Sequence, residues 1–254
     1  MKAADLIEQM EALRDDRQRD VLLRFFKTQP GEYGEGDEFL GIRNPMVRLI
    51  VRECAELPLQ EIETLLENRW HEVRLCGYLL LVGRYLRMAT TRRLHDPLAI
   101  GRRDDIIRFY LAHLDGMNNW DLVDLSAPKM LGLWLLAPSE WLATAEEKRR
   151  MMDKMAESQA LWRQRMVMVS TWYPSRQGDP SWALRYAERF LHHPHDLMHK
   201  ATGWMLREVG KKRPEVLDDF LERHAAAMPR TMLRYAIEKL SEPERLHWMR
   251  QGKG

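Results

Sequence analysis

In the segment 118–132, NNWDLVDLSAPKMLG, Trp120 and Asp124 stand four residues apart. On a helix that spacing puts an indole and a carboxylate on one face, a turn from each other. The pairing suits a site where positive charge develops. The carboxylate opposes the charge or orients a water, and the electron-rich indole face attracts the cation. Asn118 or Asn119 is placed to cap such a helix, and Asp121 in its first turn suits the positive end of the helix dipole. A buried tryptophan sealing a helix end, with Asp124 as a surface group or second cap, would give the same spacing, so other segments must decide.

Two of them bear on it. In LWRQRM, 161–166, Arg163 and Arg165 lie two apart ahead of an apolar run, so only one faces inward. In KATGWMLRE, 200–208, Trp204 follows Lys200 by four residues, and Ala201, Thr202 and Gly203 permit close backbone approach. A histidine group, His192, His193, His195 and His199, includes one pair at i, i+4, the spacing of helix-borne metal ligands. It lacks an HExxH pattern and a nearby cysteine, and Pro194 interrupts it. It reads as a polar turn between helices, and neither a metal nor a cofactor is expected.

The elements that must position these residues are helices. Apolar residues recur at helical period over 4–26, 44–56, 59–68, 71–88, 101–114, 121–136, 139–156, 159–172, 180–192, 196–210, 214–226, 230–240 and 243–250. Sustained strand alternation is lacking, so the fold class is all-α. Four of the segments share a basic residue followed by an apolar stretch, at Arg74, Arg165, Lys200 and Arg234, and the last three are 35 and 34 residues apart. That is about one helix pair with its turns, which predicts a HEAT-like or ARM-type α-solenoid of antiparallel helix pairs filling 1–254 as a single domain. The recurring cation would form a positive ladder along a concave groove, and its register selects Arg165 over Arg163 as the inward side chain. Arg165, Lys200 and Arg234, with Arg163 beside them, are the candidate contacts to an anionic partner. The stretch 29–46, QPGEYGEGDEFLGIRNPM, is too rich in glycine and proline to be helical throughout; it reads as a connecting loop in which Arg43 touches a phosphate, while no role is evident for its glycine-rich part, 29–38.

Composition narrows the partner. The net charge of +2 divides unevenly: residues 1–127 carry 18 Lys and Arg against 22 Asp and Glu, and residues 128–254 carry 22 against 16. Of 40 basic residues 30 are arginine, whose fork matches phosphate oxygens. A polyanion therefore fits the second half. Apolar runs long enough to span a bilayer are missing, and the start is neither a signal nor a transit peptide. With only Cys54 and Cys76 there is no disulfide framework, and a reducing, cytoplasmic setting is expected. The 16 methionines fall at helical apolar positions and read as core.

NWDLVD, LWRQRM and KATGWMLRE, in this order and at these spacings, resemble the AlkD-type DNA alkylation-repair glycosylases, and EFLGIRNPMVRLI and MPRTMLRYAIEKL extend the resemblance over nearly the whole chain. The resemblance implies a HEAT-like solenoid that removes N3- and N7-alkylated purines from duplex DNA in base excision repair. It implies Asp124 as catalytic carboxylate, Trp120 and Trp204 as the flanking aromatic pair, and Arg165 as the DNA-contacting arginine beside them. A groove of this kind embraces DNA without a second copy, so a monomer is expected. Two rivals belong to other classes. A non-catalytic solenoid that recognises distorted or branched DNA could dispense with the carboxylate between the aromatics. A protein-binding scaffold would have an apolar or acidic concave face.

Overall fold

Several helices start where the chain supplies a donor-free residue or a capping oxygen. Pro97 opens one helix behind an Asp96 cap, Thr144 and Glu147 form a reciprocal capping box, and Pro214 opens another. The computed structural model describes residues 2–251. Among these residues there is no strand, only an isolated parallel bridge between Glu38 and Trp70, and the fold is the all-α, HEAT-like arrangement that the period implies. No helix among them is long and apolar enough to cross a membrane. The chain forms two compact units: residues up to Ser126 with Pro138–Trp141, and Ala127–Ala137 with Leu142 onward.

The first unit contains α1 (Ala3–Glu11), α2 (Asp16–Phe25), α3 (Asn44–Glu53), α4 (Leu59–Leu66), α5 (His71–Met88), α6 (Pro97–Ala112) and α7 (Trp120–Ser126). It is built around α5, against which α3, α4, α6 and α7 all pack. Val73, Leu75, Cys76, Tyr78, Leu79, Leu80, Leu81, Val82 and Tyr85 are buried around its circumference, as a helix enclosed on all sides requires. Its first turn is charged yet equally buried, with His71, Glu72 and Arg74 inside. The Glu72 carboxylate accepts hydrogen bonds from the backbone of Leu40, Gly41 and Ile42 at 2.9, 2.8 and 3.0 Å, tying the loop before α3 to α5.

The second unit contains α8 (Leu131–Leu136), α9 (Ala145–Ala156), α10 (Leu161–Ser170), α11 (Trp172–Arg176), α12 (Ser181–Arg189), α13 (Asp196–Gly210), α14 (Pro214–His224), α15 (Arg230–Ala236) and α16 (Glu242–Gln251). Here α13 is central and packs on α10, α11, α12, α14 and α15. A Cβ at Gly203 would lie 2.3 Å from the Met232 carbonyl oxygen, so only glycine permits α13 and α15 to approach this closely. Leu206, Leu217, Phe220, Leu221, Met232 and Leu233 belong to the apolar core around them.

Three predicted segments differ from the helices observed. The stripe over 4–26 is split because the Asp15 N–H donates to the Leu40 carbonyl while its side chain caps α2. The span 121–136 breaks after Ser126, where the interruption holds Pro128. The span 139–156 starts as helix only at Ala145, because the Asp104 carboxylate accepts from Ser139 Oγ and from the backbone of Glu140 and Trp141. Arg74, first in the recurring cation series, is not part of an open ladder. Its guanidinium is buried, donating to the carbonyls of Asn68, Arg69 and Gly116 and to Asp37 and Asn118.

Candidate active site

Within the first unit, α7 presents Trp120 at its first position and Asp124 one turn later, and both line a cleft of about 390 Å³. The Trp120 N–H donates to the Asn119 side-chain oxygen at 2.9 Å, which fixes the start of the helix. The indole stacks on Phe26, with ring centroids 5.3 Å apart, and meets Phe25 edge-on at 5.7 Å. Phe26 stacks in turn on Phe39, and Phe39 on His71 at 4.4 Å. Such contacts give the indole a fixed orientation. Trp120 and Asp124 are both half-buried, as groups lining an accessible wall should be.

Beneath this wall lies a buried ionic chain. His71 Nδ1 donates to Asp37 at 2.7 Å and Nε2 donates to Asp121 at 2.9 Å. Burial opposes the imidazolium, but the charges and hydrogen bonds of Asp121 and Asp37 outweigh it, and His71 is pushed up to about 9. Asp37 is held below the ordinary carboxylate range: burial would raise it, yet His71 and Arg74 prevail. The glycine-rich stretch 29–38 thereby acquires a place, since it delivers Asp37. A Cβ at Gly34 would lie 2.4 Å from the Phe26 carbonyl and 2.9 Å from the Asn119 side chain, so the loop closes onto the residues that support Trp120. Asp121, read in sequence as a dipole partner, is instead buried, paired with His71, and part of the cleft wall. His71, Asp37 and Glu72 escaped the sequence reading. A histidine opening a long helix with an apolar middle was the available signal, but its partners lie 34 and 50 residues away.

The remaining candidates are distributed as follows. Arg43 is exposed at the cleft of the first unit and donates to the Gln18 side chain at 3.1 Å. In the second unit Trp204 is half-buried on α13, and Lys200 on the same helix pairs with Asp196 at 2.9 Å. Arg163 and Arg234 are exposed. Arg165, the inward choice of the repeat register, is only 5% exposed, and its Nη1 donates to the Leu197 carbonyl at 2.5 Å.

The histidine group is occupied with helix starts. His195 caps α13 by accepting from Leu197 N, His193 Nδ1 accepts from His195 N, and His199 donates to the His193 carbonyl. Among the described residues, ligand atoms gather within 4.8 Å of one another at Glu63, Glu67 and His113. There His113 already donates to Glu63 and to the Phe109 carbonyl.

No curated protein matches the sequence. Among solved structures, a predicted DNA alkylation repair enzyme from Enterococcus faecalis superposes with a TM-score of 0.64 at 14% identity, covering 90% of this chain and 97% of that one. At that identity the likeness speaks for the fold. The sequence itself goes further, because the family model for DNA alkylation repair enzymes matches residues 6–240, a span that holds α7, the buried chain beneath it and all the candidate cations. The protein therefore belongs to the DNA alkylation repair enzyme family.

Proposed function

We propose that the protein is a DNA glycosylase that hydrolyses the N-glycosidic bond of cationic N3- and N7-alkylated purines in duplex DNA, acting as a cytoplasmic monomer in base excision repair. The reading is supported chiefly by one observation, the Asp124 carboxylate and the oriented Trp120 indole side by side on a cleft wall. Alkylation at N3 or N7 makes the purine cationic and a good leaving group. Its departure leaves an oxocarbenium-like sugar, which a carboxylate opposes through space while an indole face attracts it. Asp124 also orients the attacking water. Because the lesion's own charge activates the bond, the reaction needs no strong general acid of the kind found in sugar glycosidases. Trp204 takes the second aromatic role, and Arg165, Arg163, Lys200, Arg234 and Arg43 are assigned to the DNA backbone.

Release of methylated base from duplex DNA containing N7-methylguanine, wild type beside Asp124→Asn, tests this. The variant should lose roughly a hundredfold or more in single-turnover rate, the scale of one electrostatic stabiliser, while duplex affinity stays within a few-fold. Equal rates would remove Asp124 from the chemistry. Absence of release by the wild type, with duplex binding intact, would favour a non-catalytic DNA-binding protein.

A further inference from the structure

The Asp37–His71–Asp121 chain spans two distant segments and ends on the residue next to Trp120. The His71 ring is 1% exposed as a residue, stands in the aromatic stack that reaches Trp120 through Phe39 and Phe26, and uses both nitrogens as donors. Asp121 and Asp124 are three positions apart on α7, so both project from one side of a helix only seven residues long. A helix of this length has little stability of its own and takes its orientation from tertiary anchors. The anchor here costs desolvation of several charged groups, where an apolar contact of equal volume would serve stability as well or better. The groups facing His71 are Asp37 from the loop and Asp121 from α7, with Arg74 of α5 behind Asp37. Their two positive and two negative charges cancel, so Asp121, three residues from Asp124 on the cleft wall, is a compensated carboxylate.

We propose that His71 is a positioning residue for the reaction assigned above: clamped by Asp37, it holds Asp121 and so sets the first turn of α7, fixing where Trp120 and Asp124 meet the substrate and compensating the Asp121 charge near Asp124. The inference rests on the glycosylase reading for its chemistry, but the geometric part is read independently. His71→Gln keeps a donor near the Nε2 position toward Asp121, whereas His71→Asn keeps one near Nδ1 toward Asp37. A merely structural role would make the two variants alike.

The experiment uses the full chain and has three readouts. The first is the ring N–H signals of wild-type His71 at pH 7.5; two protected N–H protons are expected, and one deprotonated nitrogen would overturn the clamp. This requires no variant, so the inference stays refutable even if the substitutions unfold the protein. The second is the indole N–H resonance of Trp120, assigned with Trp120→Phe, which should shift in His71→Asn while that of Trp248 in the second unit does not. The third is single-turnover base release: about 30-fold slower in His71→Asn, within about fivefold of wild type in His71→Gln, and with undamaged-duplex affinity within about threefold for both, since misplacement of reacting groups by an ångström costs up to about a hundredfold. If both variants release base at the wild-type rate and Trp120 is unmoved, the positioning role falls and the glycosylase reading stands. If the wild type releases no base, that reading falls, and the Trp120 resonance alone decides the clamp.

Discussion

Arg74 on α5 and Arg234 on α15 occupy the same place in a recurring pattern of a cation followed by an apolar stretch, yet their surroundings have little in common. Around α5, charge is internal. Arg74 is enclosed, with its guanidinium divided among three carbonyls, Asp37 and Asn118. Around α15 the interior is apolar, Arg234 lies in solvent, and the helix is held by Met232 and Leu233 in the core and by the close approach of Gly203. The difference teaches that a repeat register places a side chain along a helix but does not decide its use. Partners do, and in the first unit the loop 29–38 and the turn at Gly116 bring acceptors that α15 lacks.

Removing the two cations should therefore have very different effects. Arg74→Met leaves four oxygens without their donor and Asp37 with a reduced counter-charge, and should lower stability by about 4 kcal/mol, as for the loss of one partner in a buried ionic cluster. Thermal unfolding of the pure variant measures this. A drop below about 1 kcal/mol would show that the enclosed arginine is dispensable and that the contrast between the two regions is superficial.

pH sharpens the same contrast. The folded state holds the His71 imidazolium far above the ordinary histidine value, at about 9. A raised folded pKa gives a contribution complete below the unfolded value, near about 6.5, and lost as pH climbs through the folded one. The first unit should thus weaken between pH 6.5 and 9, by roughly 3 kcal/mol in all. Denaturation midpoints measured across that window should decline in the wild type and much less in His71→Gln. A flat wild-type profile would mean that the histidine is neutral in the folded protein.

How much of this was legible depends on distance along the chain. Trp120 and Asp124 were readable because four residues on a single helix fix their relation, and the helical period alone located the central helices α5 and α13. The break at Asp15 was not readable, since its cause is the Leu40 carbonyl far ahead in the chain. Nor was the non-helical run before Ala145, which a carboxylate 35 residues upstream draws into an irregular path. The buried chain stayed hidden for the same reason: only folding brings Asp37, His71 and Asp121 together. The burial of Arg165 was missed differently. The register turned it toward an inner wall, whereas its burial depends on the Leu197 carbonyl 32 residues ahead, to which it donates.

Gly203 provides a smaller test on the α15 side. In an isolated helix, Gly→Ala raises stability by up to about 1 kcal/mol. Here the added Cβ would lie 2.3 Å from the Met232 backbone oxygen and 2.5 Å from Tyr235 Cβ, so two helices must separate. Gly203→Ala should destabilise by about 2 kcal/mol, the scale of overpacking. Stabilisation would show that α13 and α15 have room to spare.

The smallest effect on stability is expected at Arg234, which is where DNA binding becomes informative. Arg234→Ala removes an exposed side chain with no role in the core, so stability should change by less than about 0.5 kcal/mol. If Arg234 meets a phosphate, the slope of log affinity against log salt should flatten by about one unit, equally for damaged and undamaged duplex. Arg165→Ala provides the counterpart: an arginine spent wholly on the Leu197 carbonyl would lower stability and leave the slope alone, whereas one that also reaches DNA would change both. A slope unchanged in Arg234→Ala would remove the exposed end of the cation series from the interface, and the basic half of the chain would then need another reason for its charge.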